Sequence, residues 1–190
     1  MYGIYWNVIF RGSIAIEFKL IVISILLLLA VMSDLASYKI KNSLTFSFML
    51  TGMVMNLIRS GTKGVIFSLQ GIMLPVICLL VLYTMRMLGA GDIKLLSAVG
   101  SVMGSGFTAN VMIFSFICGG IMAAGLILTR HNGIERIKYL CLYIKSCLIS
   151  MKLLQYSDSR DKPDGSKFPF SIAVASGTAA AVIIGRLGGV

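Results

Sequence analysis

Two aspartates stand where apolar stretches end. Asp34 closes "AVMSD" after one long apolar run, and Asp92 follows "LGAG" at the end of another. Of the seven acidic residues, Glu135, Asp158, Asp161 and Asp164 share one polar stretch and Glu17 stands near the start of the first apolar run. Asp34 and Asp92 are therefore the acids of short loops that abut apolar segments. A pair of close carboxylates cannot both ionise easily; one pKa rises and the pair shares a proton. The ionised member can take a proton from a bridging water while the protonated member donates to a peptide carbonyl. Gly89 and Gly91 beside Asp92 would permit positive φ and close approach of a substrate or of the other acid's helix. A plainer reading is open at this point. Asp34 would be a solvated loop acid and Asp92 a helix N-cap, a position that aspartate favours.

The elements that must position these acids are membrane helices. The chain has 190 residues, is 57% hydrophobic and only 13% charged, and its mean hydropathy is +0.93. Soluble domains carry about a quarter charged residues. Six candidate spans run about 14–33, 44–58, 65–88, 94–105, 107–129 and 168–188. A full span needs ~20 residues, so the second and fourth are short and must tilt or be sheltered by neighbours. The fourth, "KLLSAVGSVMGSG", spaces Gly100 and Gly104 as G-x-x-x-G among serines. Small residues of that kind let helix backbones approach, which predicts a central, tightly packed helix. The fold class is thus all-α: a polytopic membrane bundle of about six helices, one domain over 1–190.

Residues 130–167 differ. Lys138, Lys145 and Lys152 recur every seven positions in an otherwise apolar stretch, which places them on one helix face and predicts an amphipathic helix on the membrane surface. "LIVISILLLLAVMS" after Lys19 resembles a signal peptide, but no small-x-small cleavage site follows, so a retained helix is expected. Sharing the loops 34–43, 86–94 and 130–167 on one side gives that side twelve basic residues against five. The positive-inside rule then puts those loops in the cytoplasm and both termini outside. The net charge of +10 reads as attraction to anionic lipid headgroups and not as nucleic-acid binding. Cys78, Cys118, Cys141 and Cys147 form no C-x-x-C and have only His131 for company, so no metal site is expected.

"GAGDIKLLSAVGSVMG" resembles the signature of the GxGD membrane aspartic proteases in their prepilin peptidase branch, with Ile93 and Lys94 after the motif aspartate. In that family the second aspartate ends the first core helix and precedes an Ile-Pro-Asn-like element. "DLASYKIKN" supplies Asp34, Ile40 and Asn42, with Lys41 where the family has proline. "FPFSIAVASGT" is similar to the family's proline-containing start of the last helix, though Pro169 also suits an ordinary first-turn proline. Presenilin-like relatives match less well, since the Tyr-Asp and Pro-Ala-Leu elements are absent.

The resemblance implies catalysis by Asp34 and Asp92, with Gly89, Gly91 and Lys94 as motif support and Asn42 and Pro169 as possible substrate-side residues. It implies no cofactor and no metal. It also implies pilin-like precursors as partners, a bacterial inner-membrane location, and a cytoplasmic active site. The chain carries no methyltransferase region with paired C-x-x-C, so it resembles the short, peptidase-only proteins that serve tight-adherence pili. A rival of another class is a small transporter or ion-binding protein that uses the same acids as a proton or cation site; no inverted repeat between the halves supports it. A third is a non-catalytic assembly subunit, for which losing either acid would be harmless.

Overall fold

A computed structural model describes residues 2–37, 40–85, 87–129 and 169–187, with side chains from residue 16 onward and, in the last two helices, up to residues 125 and 185. Every regular element among them is an α-helix: α1 Tyr2–Ser37, α2 Asn42–Ser60, α3 Thr62–Thr84, α4 Ala90–Met103, α5 Ser105–Thr129 and α6 Phe170–Leu187. Ile16–Ser37, Thr62–Thr84 and Ser105–Gly125 are each long and apolar enough to cross a membrane, and Phe170–Gly185 is a shorter apolar helix. The six expected segments are present, most ends shifted by a few residues, but α1 begins at Tyr2, twelve residues before the expected start at 14. The amphipathic helix expected within 130–167 lies outside the described residues.

The bundle is oily outside, and its interior combines an apolar core with buried polar side chains. Leu28, Ile58, Ile77 and Ile121 are strongly exposed on its flanks, as lipid requires and water would penalise. Its centre is α4. Fourteen residues span only ~21 Å, too short to cross lipid alone, and nine of the fourteen are buried. α4 packs chiefly against α3 and α2, and then against α5. Leu95, Leu96, Val99 and Val102 meet Ile23 and Leu26 of α1, Val111 of α5 and Val174 of α6 in the core.

Backbone contact and buried polar bonds hold α4 in place. Gly71 of α3 and Gly100 of α4 lie with each backbone against the other; a Cβ on either would strike the partner's carbonyl. Pro75 sits in α3 four residues after Gly71 and has no N–H to give that carbonyl, which is the one facing Gly100. Asn56 of α2 then acts as a buried tie. Its Nδ2 donates to Ser68 Oγ at 2.8 Å and to the Ser101 carbonyl at 2.9 Å. The second bond satisfies one of the carbonyls that the end of α4 leaves without a helical donor.

The G-x-x-x-G reading divides. Gly100 makes the close approach, whereas Gly104 is the single residue between α4 and α5, with φ 85, a conformation that costs glycine little.

Candidate active site

α1 runs apolar to its last turn, and there the buried face ends in a charge. Asp34 is only 7% exposed, so the reading of it as a solvated loop acid fails. Its Oδ2 accepts a hydrogen bond from the backbone N–H of Ser171 at 3.3 Å. Local sequence explains why that N–H is free. Pro169 precedes α6, and the first regular bond of the turn is Ile172 N–H to the Pro169 carbonyl at 3.2 Å. Ser171 is the second helical residue, and the first N–H groups of a helix have no acceptor within it. They also carry the positive end of the helix dipole, where a carboxylate is well placed.

Asp92 lies in the first turn of α4. It is the third helical residue and not the N-cap, which is Gly89. Asp92 reaches back so that its Oδ2 accepts the Gly89 N–H at 3.3 Å, while its own N–H donates to the Gly89 carbonyl at 3.2 Å. Gly89 has no side chain to return the favour, so half of a capping box is present. The expectation of positive φ at Gly89 is not met: its backbone is extended, with φ −77 and ψ 147. Glycine leaves room there, because a Cβ would sit 3.0 Å from Asp92 Oδ2 and the carboxylate would have to give way slightly. At Gly91 a Cβ would meet the Ile40 side chain at 3.4 Å, an ordinary contact. It shows that the segment after α1 lies against the start of α4.

The two acids lie at one end of the bundle, near enough for the charge of Asp34 to act on Asp92. Burial pushes the Asp92 carboxyl up to about 6, the Asp34 charge adds to that rise, and the Gly89 N–H partly opposes it. At neutral pH and below, Asp92 therefore holds a proton far more readily than an exposed aspartate does.

Lys94 is two residues from Asp92, which turns it to another face of α4. Its Nζ donates to Asn42 Oδ1 at 2.9 Å and lies 5.5 Å from the Phe46 ring centroid. Lys94 and Asn42 thus fasten the start of α2 to the start of α4. Lys41, in the family's proline position, is the N-cap of α2 with φ −64 and ψ 127. That φ is the one a proline ring would impose, so the backbone here would also accept proline. Pro169 stands at the start of α6 and sets up the N–H that Asp34 uses.

One end of the bundle therefore holds Asp34 and Asp92, with Gly89 against Asp92 and Gly91 against Ile40; Lys94 and Asn42 bond to each other and to neither acid, and Pro169 stands two residues before Ser171. Sequence reasoning missed Ser171. The signal was present, since a proline that opens a helix advertises free N–H groups just after it. Among the described residues no group of three or more His, Cys, Asp or Glu that could hold a metal ion comes together.

Residues 21–124, more than half of the chain, match the family model described as the type IV leader peptidase family. The matched span contains both acids and the Gly89–Lys94 motif and ends before α6. No curated protein and no solved structure matches this chain significantly.

Proposed function

This chain belongs to the type IV leader peptidase family, and from that premise we propose that it is an aspartic endopeptidase that removes the leader of pilin-like precursors at the cytoplasmic face of the bacterial inner membrane. The observation that supports the reading is the placing of Asp34 and Asp92 at one end of the bundle, where the charge of the first helps to raise the pKa of the second. Asp92, inclined to keep its proton, is the acid that donates to the scissile carbonyl. Asp34 is the base that takes a proton from the attacking water. On collapse of the tetrahedral intermediate the C–N bond breaks, Asp34 passes the proton it took from the water to the leaving nitrogen, and Asp92 recovers its proton from the hydroxyl it had protonated, so no covalent enzyme intermediate forms.

The substrate would carry a short basic leader ahead of an apolar helix. Its helix would lie among the spans, and its scissile bond would reach the acids at the boundary. The basic excess on the side assigned to Asp34 and Asp92, most of it in the stretch 130–167, supports a cytoplasmic site with both termini outside. One domain over 1–190 and a short, peptidase-only type of the tight-adherence kind complete the proposal.

The test is cleavage of a pilin-like precursor by the purified full chain in detergent, followed by mass spectrometry. The wild type should release the leader, Asp34→Asn and Asp92→Asn should not, and EDTA should leave the rate unchanged. The rate should fall as pH rises past about 6, the value to which Asp92 is pushed, because the proton needed for donation is then lost. Loss of cleavage on chelation with recovery on one added divalent metal would contradict the two-acid mechanism and favour a carboxylate ion site.

A further inference from the structure

Ser171 has a side chain that the fold does not use. It is fully buried, and its hydroxyl finds no hydrogen-bond partner among the described residues. Among the described residues the other buried polar side chains all have one. Thr108 donates to the Gly104 carbonyl at 2.7 Å, Ser115 to Val111 at 2.6 Å and Thr178 to Val174 at 2.7 Å. Those bonds run to the carbonyl four residues back, the usual way a hydroxyl is satisfied inside a helix. Ser171 is the second residue of α6, and a helix offers no such carbonyl at that position. An orphaned buried hydroxyl is uncommon and costly, and a role at a reaction site is one of its recognised explanations.

The backbone of the same residue touches Asp34, with N–H to Oδ2 at 3.3 Å. We propose that Ser171 is a positioning residue of the site, whose N–H holds Asp34 and whose hydroxyl orients the water that Asp34 deprotonates. This inference rests on the leader-peptidase reading above. A serine hydroxyl offers one donor and two acceptor positions. The hydroxyl is closed to water as the fold stands; once the water enters beside Asp34, the hydroxyl accepts one of its hydrogens while Asp34 takes the other, and this turns an oxygen lone pair toward the peptide carbon. The serine forms no bond to substrate. The proton leaves on Asp34 as it does in the two-acid mechanism.

The test is a comparison of wild type, Ser171→Ala, Ser176→Ala and Asp34→Asn in the precursor-cleavage assay, with thermal unfolding of each in detergent. Ser171→Ala keeps the N–H and loses only the hydroxyl. Its kcat should fall by ~10²-fold, the scale of a misplaced reacting group, with KM within about twofold of the wild type. Its Tm should be equal or higher, because an unpaired buried hydroxyl has been removed. Ser176, whose hydroxyl is satisfied by the Ala173 carbonyl at 3.1 Å, should be replaceable without change in kcat. Full kcat in Ser171→Ala, a fall in its Tm along with activity, or an equal loss in Ser176→Ala would each overturn the inference. Wild-type cleavage that Asp34→Asn abolishes and Ser171→Ala retains in full would overturn this inference alone. A wild type that cleaves no precursor, or an active Asp34→Asn, would overturn the peptidase reading and this inference with it.

Discussion

The Ser171 N–H and the Asp34 carboxylate meet at 3.3 Å across 137 positions of sequence. The bond closes the bundle, joining the last turn of α1 to the first turn of α6. It also fixes one oxygen of a buried acid that would otherwise be free to rotate. The oxygen and not the charge is what the N–H needs. Asp34→Asn retains an acceptor and should unfold within a few degrees of the wild type. Asp34→Ala leaves the N–H unpaired in a buried place and should lose about 1–3 kcal/mol. Thermal unfolding of the two variants in detergent separates these outcomes; equal Tm values would contradict the contact.

Asp92 makes stability depend on pH in the direction opposite to most aspartates. Its pKa rises from 3.8 to about 6 in the fold, so the folded chain binds the proton more tightly than the unfolded chain. Stability that Asp92 allows is thus fully present below pH ~4, declines as pH rises, and levels off above about 6. Asp92→Asn removes this dependence while keeping an oxygen for the Gly89 N–H. Above pH 6 the variant should be more stable than the wild type, and the gap should close toward pH 4. Tm measured across that range checks the sign; a gap that widens on acidification would refute it.

Lys41 invites the substitution that its backbone already fits. With φ −64 at an exposed N-cap, Lys41→Pro should narrow the unfolded ensemble without straining the folded chain. The expected gain is about 0.4–1 kcal/mol, with cleavage retained because neither acid is touched. A loss of stability would mean that the Lys41 N–H serves a partner or that Ile40 cannot take the extended backbone that a following proline demands.

Much of this arrangement can be read from local pattern. The apolar runs of α1, α3 and α5 declare themselves by length. α4 betrays its central place by being too short and too rich in Ser and Gly to face lipid. The shared side of Asp34 and Asp92 follows from counting spans between them. What remains hidden depends on distance in sequence. Asn56 bonds to a carbonyl 45 residues away, and Ser171 bonds to an acid farther still. Neither pairing leaves a spacing to detect. Gly89 misleads for another reason: its residue type signals freedom of φ, while the fold uses its missing Cβ to admit the Asp92 carboxylate.

The central claim is that Asp34 and Asp92 act as one unit, and a kinetic cycle on the pair tests it most directly. Single-turnover cleavage of a pilin-like precursor would be measured for wild type, Asp34→Asn, Asp92→Asn and the double variant. Each single change should lower the rate by about 10³-fold or more, and the double variant should be no slower than the slower single, because groups that act together are strongly non-additive. Near-wild-type cleavage by either single variant, or losses that multiply in the double, would contradict it.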